Sequence, residues 1–333
     1  MFVAQQLANR FRGALLGAAI GDVIGADVEK GGVEVWDDLE RGLHSILISP
    51  YTDATELTLA VGESLVQQCG FDGEHMAQAF QKHFVFDTER SHGTDLEPVI
   101  SSLQNEVTWS VAGSQRTRGK GTFGSEPALR VTPAALFSFM SLDRTVDMAR
   151  RTASITHHNE LAIEGAVLQA SVISMLVKHQ TDIPLGQTHL LDVLSRHLHN
   201  AQLTRNLSNI KHLAADSSMP EVREMLGNGS SAAESVPAAL YCFLRNRPSY
   251  VDTLGYAVRL GGSIRTVTAL AGALSGAQLG MDAIPHSWRA DVRGRYEFQR
   301  LADALLVASI AAEPASSFRP YVGRYAERQT LSN

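Results

Sequence analysis

The stretch from residue 260 to residue 280, LGGSIRTVTALAGALSGAQLG, restricts the fold more than any other part of the chain. It opens on Gly261-Gly262, passes through the polar turn Ser263, Ile264, Arg265, Thr266, and continues as a helical run of small residues. Ala269, Ala271, Gly272, Ala273, Ser275, Gly276 and Ala277 leave almost no bulk on any face. Glycine in a helix interior costs roughly 1 kcal/mol against alanine, so residues this small point to close approach by a neighbouring backbone. A helix bare on every side is expected to be buried. Its first turn, with unpaired N–H groups and the positive end of the helix dipole, is then expected to face the interior, where sites are readily built. A small-residue core helix with no site is the other reading of the same stretch.

Helical signals dominate the remainder. Residues 3–20 predict a helix ending in the small residues Gly17, Ala18, Ala19 and Gly21, and residues 30–50 read as loop. Thr52 or Asp53 is placed to cap the next helix, where Leu57, Ala60, Val61 and Leu65 recur at helical spacing. Residues 73–86 form another amphipathic helix, and 87–125 read as a long polar loop holding Arg116, Arg118 and Lys120. Ser125 before Pro127 predicts a helix start running through Phe137. Further helices are expected over 144–153, 160–178, 185–213, from Val236-Pro237 onward, and over 249–260, 266–280 and 297–312. The best strand candidate, EVTWSV at 106–111, stands alone. The expectation is one all-α domain over residues 1–333, a single compact orthogonal helical domain, with a loosely attached tail from about residue 315.

Composition excludes several classes. The 333 residues can bury a large core, and a net charge of -6 provides no basic face for nucleic acid. Cys69 and Cys242 lie in apolar runs without metal or redox spacing and are expected to be reduced core thiols. Asp22 interrupts the apolar run that follows Arg10 and Arg12, which argues against an export signal. No apolar run reaches the roughly 20 residues of a membrane helix. A cytoplasmic protein is expected. Gly119–Gly124 fits a dinucleotide fingerprint but lacks the flanking strand and helix. His189, His197 and His199 read as a solvated helix face rather than a metal cluster.

Five ordered stretches are rich in Gly, Asp, Thr or His: 21–29, 51–56, 119–130, 154–165 and 261–266. RFRGALLGAAIGDVIGADVE (10–29), YTDATELTLAVGESL (51–65), GSEPALRVTPAALF (124–137), SITHHNELAIEGAV (154–167), ESVPAALYCFL and AVRLGGSIRTVTALAGALSGA together resemble the ADP-ribosylglycohydrolase family. The family comprises all-α enzymes that cleave ADP-ribose from modified side chains. The resemblance covers most of the chain. It implies a cleft lined by Glu29, Asp53, Thr55, Gly124, Ser125, Arg130, His157, Ser263, Arg265 and Thr266.

The departures from the family pattern are informative. Members hold two Mg²⁺ ions with carboxylates from Thr-Asp-Asp and from Gly-Gly-Asp-Thr-Asp-Thr, the oxygen donors a hard cation requires. Here Thr52, Asp53 and Thr55 remain but Ala54 replaces the second Asp, and Ser263 and Arg265 replace both later carboxylates. Glu56 follows the first motif and could compensate for the missing carboxylate, although its spacing would point it elsewhere on the helix. The expectation is therefore no Mg²⁺ pair and no other cofactor. Arg265 would act as a built-in cation, paired with Asp53. The resemblance also sets the glycine turn against the pyrophosphate of ADP-ribose. Glu126 in that turn repels phosphate unless Arg130 or Lys120 offsets it. His157 has a second reading, as a hydrogen-bonded helix-start residue with no ligand. Three functions fit these residues. The favoured one is a non-catalytic binding or regulatory protein, with ADP-ribose, a related nucleotide or a protein as partner. The second is a metal-independent hydrolase using Asp53 or Glu29 with Arg265. The third is a scaffold with a closed cleft.

Overall fold

A computed structural model of the chain describes residues 2–31, 34, 36–37, 50–84, 96–113, 123–179, 185–214 and 216–313. The expected tail, Arg116, Arg118, Lys120 and most of the Gly119–Gly124 run lie outside the described residues. The described chain is helical, as expected, and contains no strand beyond one isolated antiparallel bridge between Gly124 and Ser231.

In chain order the helices begin with α1 (Phe2–Gly31), α2 (Asp53–Gln68), α3 (Gly73–His83), α4 (Glu97–Gln104), α5 (Trp109–Ala112) and α6 (Glu126–Leu129). They continue with α7 (Thr132–Phe137), α8 (Leu142–Ser154), α9 (Glu160–Lys178), α10 (Gln187–Ser195), α11 (Ala201–His212) and α12 (Met219–Leu226). The last are α13 (Ala232–Arg245), α14 (Tyr250–Leu260), α15 (Ile264–Leu279), α16 (His286–Asp291) and α17 (Arg295–Ala311).

The centre is the antiparallel pair α1 and α15. Gly13, Gly17, Gly21 and Gly25 recur every fourth residue and so share one face of α1. A methyl group at these positions would overlap, in turn, the carbonyls of Gly276, Gly272 and Thr268 and the Cα of Arg265. Gly272 and Gly276 answer from α15, where a methyl group would overlap the carbonyls of Gly17 and Gly13. Thr268 Oγ1 donates to the Gly21 carbonyl at 2.7 Å, and Tyr250 Oη donates to that of Gly17 at 2.8 Å. Burial pushes the Tyr250 hydroxyl pKa up. Spaced one per turn, these glycines are contact points rather than breaks, so α1 runs on to Gly31 instead of stopping near residue 20.

Helices α13 and α14 pack on α15; α17 packs on α1 and also against α2 and α7. One apolar core, with Phe11, Phe80, Phe137, Phe243 and Phe298 among its largest members, joins all of these. α9 is long and apolar enough to cross a membrane, contrary to the sequence expectation, yet 83% of its apolar window is buried among its neighbours.

Other boundaries differ for physical reasons. Residues 109–111 of the strand candidate are helical, as part of α5, with Trp109 held edge-on to Phe71 at 5.7 Å and over Gly73. Pro237 lies inside α13 rather than at its start. Proline removes the N–H that would bond the Ala233 carbonyl, and the buried Asn206 Nδ2 donates to that oxygen instead at 2.6 Å. The expected helix over 126–137 is two short helices broken at Arg130, ahead of Pro133. The expected helix over 185–213 is likewise divided. Buried Glu164 accepts the N–H groups of His199 at 2.9 and 3.0 Å and of Asn200 at 2.7 Å between α10 and α11. Cys242 is buried, which pushes its thiol pKa up, whereas Cys69 is exposed at the left-handed C-cap of α2 and is not a core thiol.

Candidate functional site

Asp22 joins α1 to α2. It is 2% exposed and accepts three hydrogen bonds: from the Thr52 N–H at 2.8 Å, the Thr52 hydroxyl at 2.9 Å and the Thr55 hydroxyl at 2.7 Å. Thr52 is therefore an N-cap residue whose side chain serves another helix and makes no cap bond of its own. The cap is left to Asp53, 5% exposed, whose Oδ1 accepts the Ala54 N–H at 2.9 Å. Beside them Asp22, Ala54, Thr55, Thr58 and Leu129 line an enclosed cavity with ≈ 10 Å³ of room for water centres, about one water molecule. Ala54 contributes only a methyl group to that wall.

Along α1, Glu29 reaches the start of α15, where its Oε1 accepts the Arg265 N–H at 3.0 Å. A carboxylate on an unsatisfied first-turn N–H is favoured by both hydrogen bonding and the helix dipole. Ser263 Oγ donates to Thr266 Oγ1 at 3.0 Å, and the Ser263 N–H is taken by the Asn228 carbonyl at 2.8 Å. The body of α15 is buried as expected, but Gly262 is exposed and Ser263, Ile264 and Arg265 are half-buried. The helix start is thus partly exposed rather than buried in the middle of the molecule. Arg265 and Asp53 form no ion pair. Asp53 is engaged at its own helix start, and the guanidinium carries a buried Nη1 without a hydrogen-bond partner among the described residues.

A second cluster surrounds the glycine turn. Ser125 Oγ donates to the Ser230 carbonyl at 3.2 Å, and the Ala232 N–H to that of Phe123 at 2.9 Å, which ties the turn to the head of α13. Arg130, 2% exposed, donates through Nη2 to Thr156 Oγ1 and stacks on the Phe80 ring at 5.2 Å. Thr156 Oγ1 bonds His157 Nδ1 at 2.7 Å, and His157 Nε2 faces Glu126 Oε2 at 3.4 Å. Thr156 Oγ1 accepts from Arg130, so its own hydroxyl hydrogen is directed at Nδ1 and the imidazole proton lies on Nε2. His157 lies in the connection between α8 and α9, ahead of the N-cap Asn159, so it is not a helix-start residue. Thr58 Oγ1, reaching toward the Leu129 carbonyl at 3.5 Å, links the two clusters.

The structure thus brings Asp53, Thr55 and their neighbours together through Asp22, and Glu29 with Arg265, Ser263 and Thr266. Gly124, Ser125, Arg130 and His157 form the second wall. Two participants were not singled out from sequence. Asp22 had been read only as a charge that interrupts an apolar run. Phe123, 57% exposed beside Gly124, offers an aromatic face to solvent next to the glycine turn. Glu56 turns away to His83, at 3.5 Å, as its spacing implied. Among the described residues no group of three or more His, Cys, Asp and Glu is arranged to hold a metal ion.

The model of the ADP-ribosylglycohydrolase family matches residues 4–315. ADP-ribosylhydrolase ARH3 of Homo sapiens is 31% identical over 337 residues, covering 89% of this chain and 93% of that protein. An uncharacterized protein of Archaeoglobus fulgidus is 30% identical over 305 residues, with 89% and 96% covered. Among solved structures, a chain of an ADP-ribosylglycohydrolase-related protein complex shares the fold. Its TM-score is 0.70 at 24% identity, over 92% of this chain and 99% of that one.

Proposed function

The chain belongs to the ADP-ribosylglycohydrolase family, and from that premise we propose that it binds an ADP-ribosyl group without metal-assisted hydrolysis. The observation that carries this reading is Arg265. Its main-chain N–H is held by Glu29, and one guanidinium nitrogen is buried without a hydrogen-bond partner among the described residues. A permanent cation there repels a divalent ion.

The donors present do not fit a pair of hard cations, each of which needs about six oxygens. The Asp22 carboxylate is held by Thr52 and Thr55, Glu29 accepts from the first turn of α15, and Ala54, Ser263 and Arg265 contribute no carboxylate. Asp53 is the carboxylate left at the first motif. Binding is served by the second wall: the exposed Phe123 ring for stacking, and His157 and Arg130 as donors around the glycine turn.

Calorimetric titration with ADP-ribose, with and without Mg²⁺, followed by hydrolysis assays on ADP-ribosylated serine and arginine peptides, tests the proposal. The expected result is equal binding in both conditions and no turnover. Mg²⁺-dependent binding would overturn it. Turnover abolished by Asp53→Ala would replace it with metal-independent hydrolysis, in which Asp53 activates water and Arg265 stabilises charge. Silence in every assay would favour a scaffold.

A further inference from the structure

Glu126 is the first residue of α6, and its side chain folds back over the glycine turn that precedes it. A methyl group at Gly124 would overlap the carboxylate, with Cδ and Oε1 only 2.8 Å from where Cβ would stand. The space that the glycine leaves open is thus filled by the chain's own anion. Oε2 of that carboxylate lies 3.4 Å from Nε2 of His157, whose side chain is 0% exposed against 25% for Glu126. Behind the imidazole stand Thr156 and the buried Arg130, itself braced on Phe80. A glycine turn, an imidazole N–H and a buried guanidinium are the parts of an anion pocket. Here the pocket and its occupant are one polypeptide.

An ADP-ribosyl ligand carries its charge in a single group, the diphosphate. Resting on the reading above that such a ligand enters this cleft, we propose that Glu126 sets its selectivity. The carboxylate competes with the ligand's diphosphate for the pocket formed by Gly124 and His157, while the nucleoside part of the ligand is unaffected. A diphosphate can reach the imidazole only by displacing Glu126, because like charges sharing one small site repel. Wild-type protein therefore binds the diphosphate less tightly than an unobstructed turn would, since Glu126 must first be displaced.

The test is calorimetry on the full chain with ADP-ribose and, separately, with adenosine, comparing wild type with Glu126→Gln and Glu126→Ala. The first substitution removes charge at nearly constant size; the second also removes bulk. Both variants are expected to bind ADP-ribose at least about tenfold more tightly than wild type, with no gain for adenosine. Thermal melts establish that each variant is folded, and either one alone suffices for the comparison. Equal ADP-ribose affinity in wild type and variants overturns the role of Glu126 and leaves the binding reading intact. A gain shared equally by adenosine also overturns it, since that reports general opening of the cleft. No ADP-ribose binding by any of the three proteins overturns the binding reading, and this proposal with it.

Discussion

At Asp22 a carboxylate has been taken out of water and given three donors in exchange, all from α2. Hydrogen bonds to a buried charge contribute about 1.5–3 kcal/mol each, and an unmatched group costs a similar amount. Asp22→Asn keeps the shape but turns an N–H₂ group toward hydroxyl donors. It is expected to lower stability by about 2–3 kcal/mol in a urea titration, and a loss below about 0.5 kcal/mol would contradict the bond pattern. His83 makes a second prediction. Its imidazole stands 3.5 Å from Glu56 and 3.0 Å from Glu63. Its pKa is raised above 6.5, first by the hydrogen bond to Glu56 and then by Glu63, against the opposing effect of burial. A pKa raised on folding means that the folded state holds the proton more tightly. The contribution is thus fully present below pH 6.5 and lost as pH rises through the folded-state value. The stability gap between wild type and His83→Gln should therefore be widest below pH 6.5 and narrow at higher pH; a gap that widens with pH would reverse the assignment. Residue identities alone disclosed little of this. The motifs put Asp53, Thr55, His157 and Arg265 forward as candidates. The meeting of Asp22 with Thr52, thirty positions away, leaves no mark in local spacing.

Helices report more of themselves in sequence than their ends do. The small residues of α15 announced a close neighbour, and the neighbour is α1, whose glycines lie one per turn. At Gly17 or Gly272 a methyl group meets main-chain atoms of the opposite helix, which cannot swing aside. Gly17→Ala is therefore expected to cost at least the 1–3 kcal/mol typical of overpacking. Gly186→Ala, where nothing lies within 4 Å and φ is -56°, should stay within about 0.5 kcal/mol of wild type. Denaturation of the two variants side by side checks the contrast. Pro237 shows why a boundary can be misread. Proline usually marks a first turn, but here Asn206 from α11 supplies the missing donor, a tertiary compensation that no window around residue 237 contains. Asn206→Ala should cost about 1–3 kcal/mol, the penalty of an unsatisfied buried carbonyl. The cost should shrink when Pro237→Ala restores the helical donor, so a double-mutant cycle is expected to show coupling between the two sites. Additive losses would refute it.

For the whole molecule, the order of the signature stretches was enough to place the chain in an all-α family. The exposure of the α15 start was not legible. The small-residue pattern describes the body of that helix, whereas the position of its first turn depends on the loop at Asn228 and on Glu29. Linkage offers a way to read the proposed exclusion of Mg²⁺ by Arg265 from global stability. A ligand that binds only the folded state stabilises by RT ln(1 + [L]/Kd), about 2.7 kcal/mol at a hundredfold excess over Kd. With Arg265 at the start of α15 and a methyl group at Ala54, the folded state should gain almost nothing from a divalent cation. The wild-type Tm is then expected to shift by less than about 1 °C between chelator and millimolar Mg²⁺. Replacing Arg265 by Asp and Ala54 by Asp changes the formal charge of this region by three units and supplies the oxygen donors a hard cation needs. In that double variant Mg²⁺ should raise Tm by several degrees, and chelator should lower it below wild type, since the added carboxylates then repel one another uncompensated. A wild-type Tm that already rises with Mg²⁺ would show that Arg265 does not exclude the ion. The same rise in wild type and variant would place the metal elsewhere in the chain.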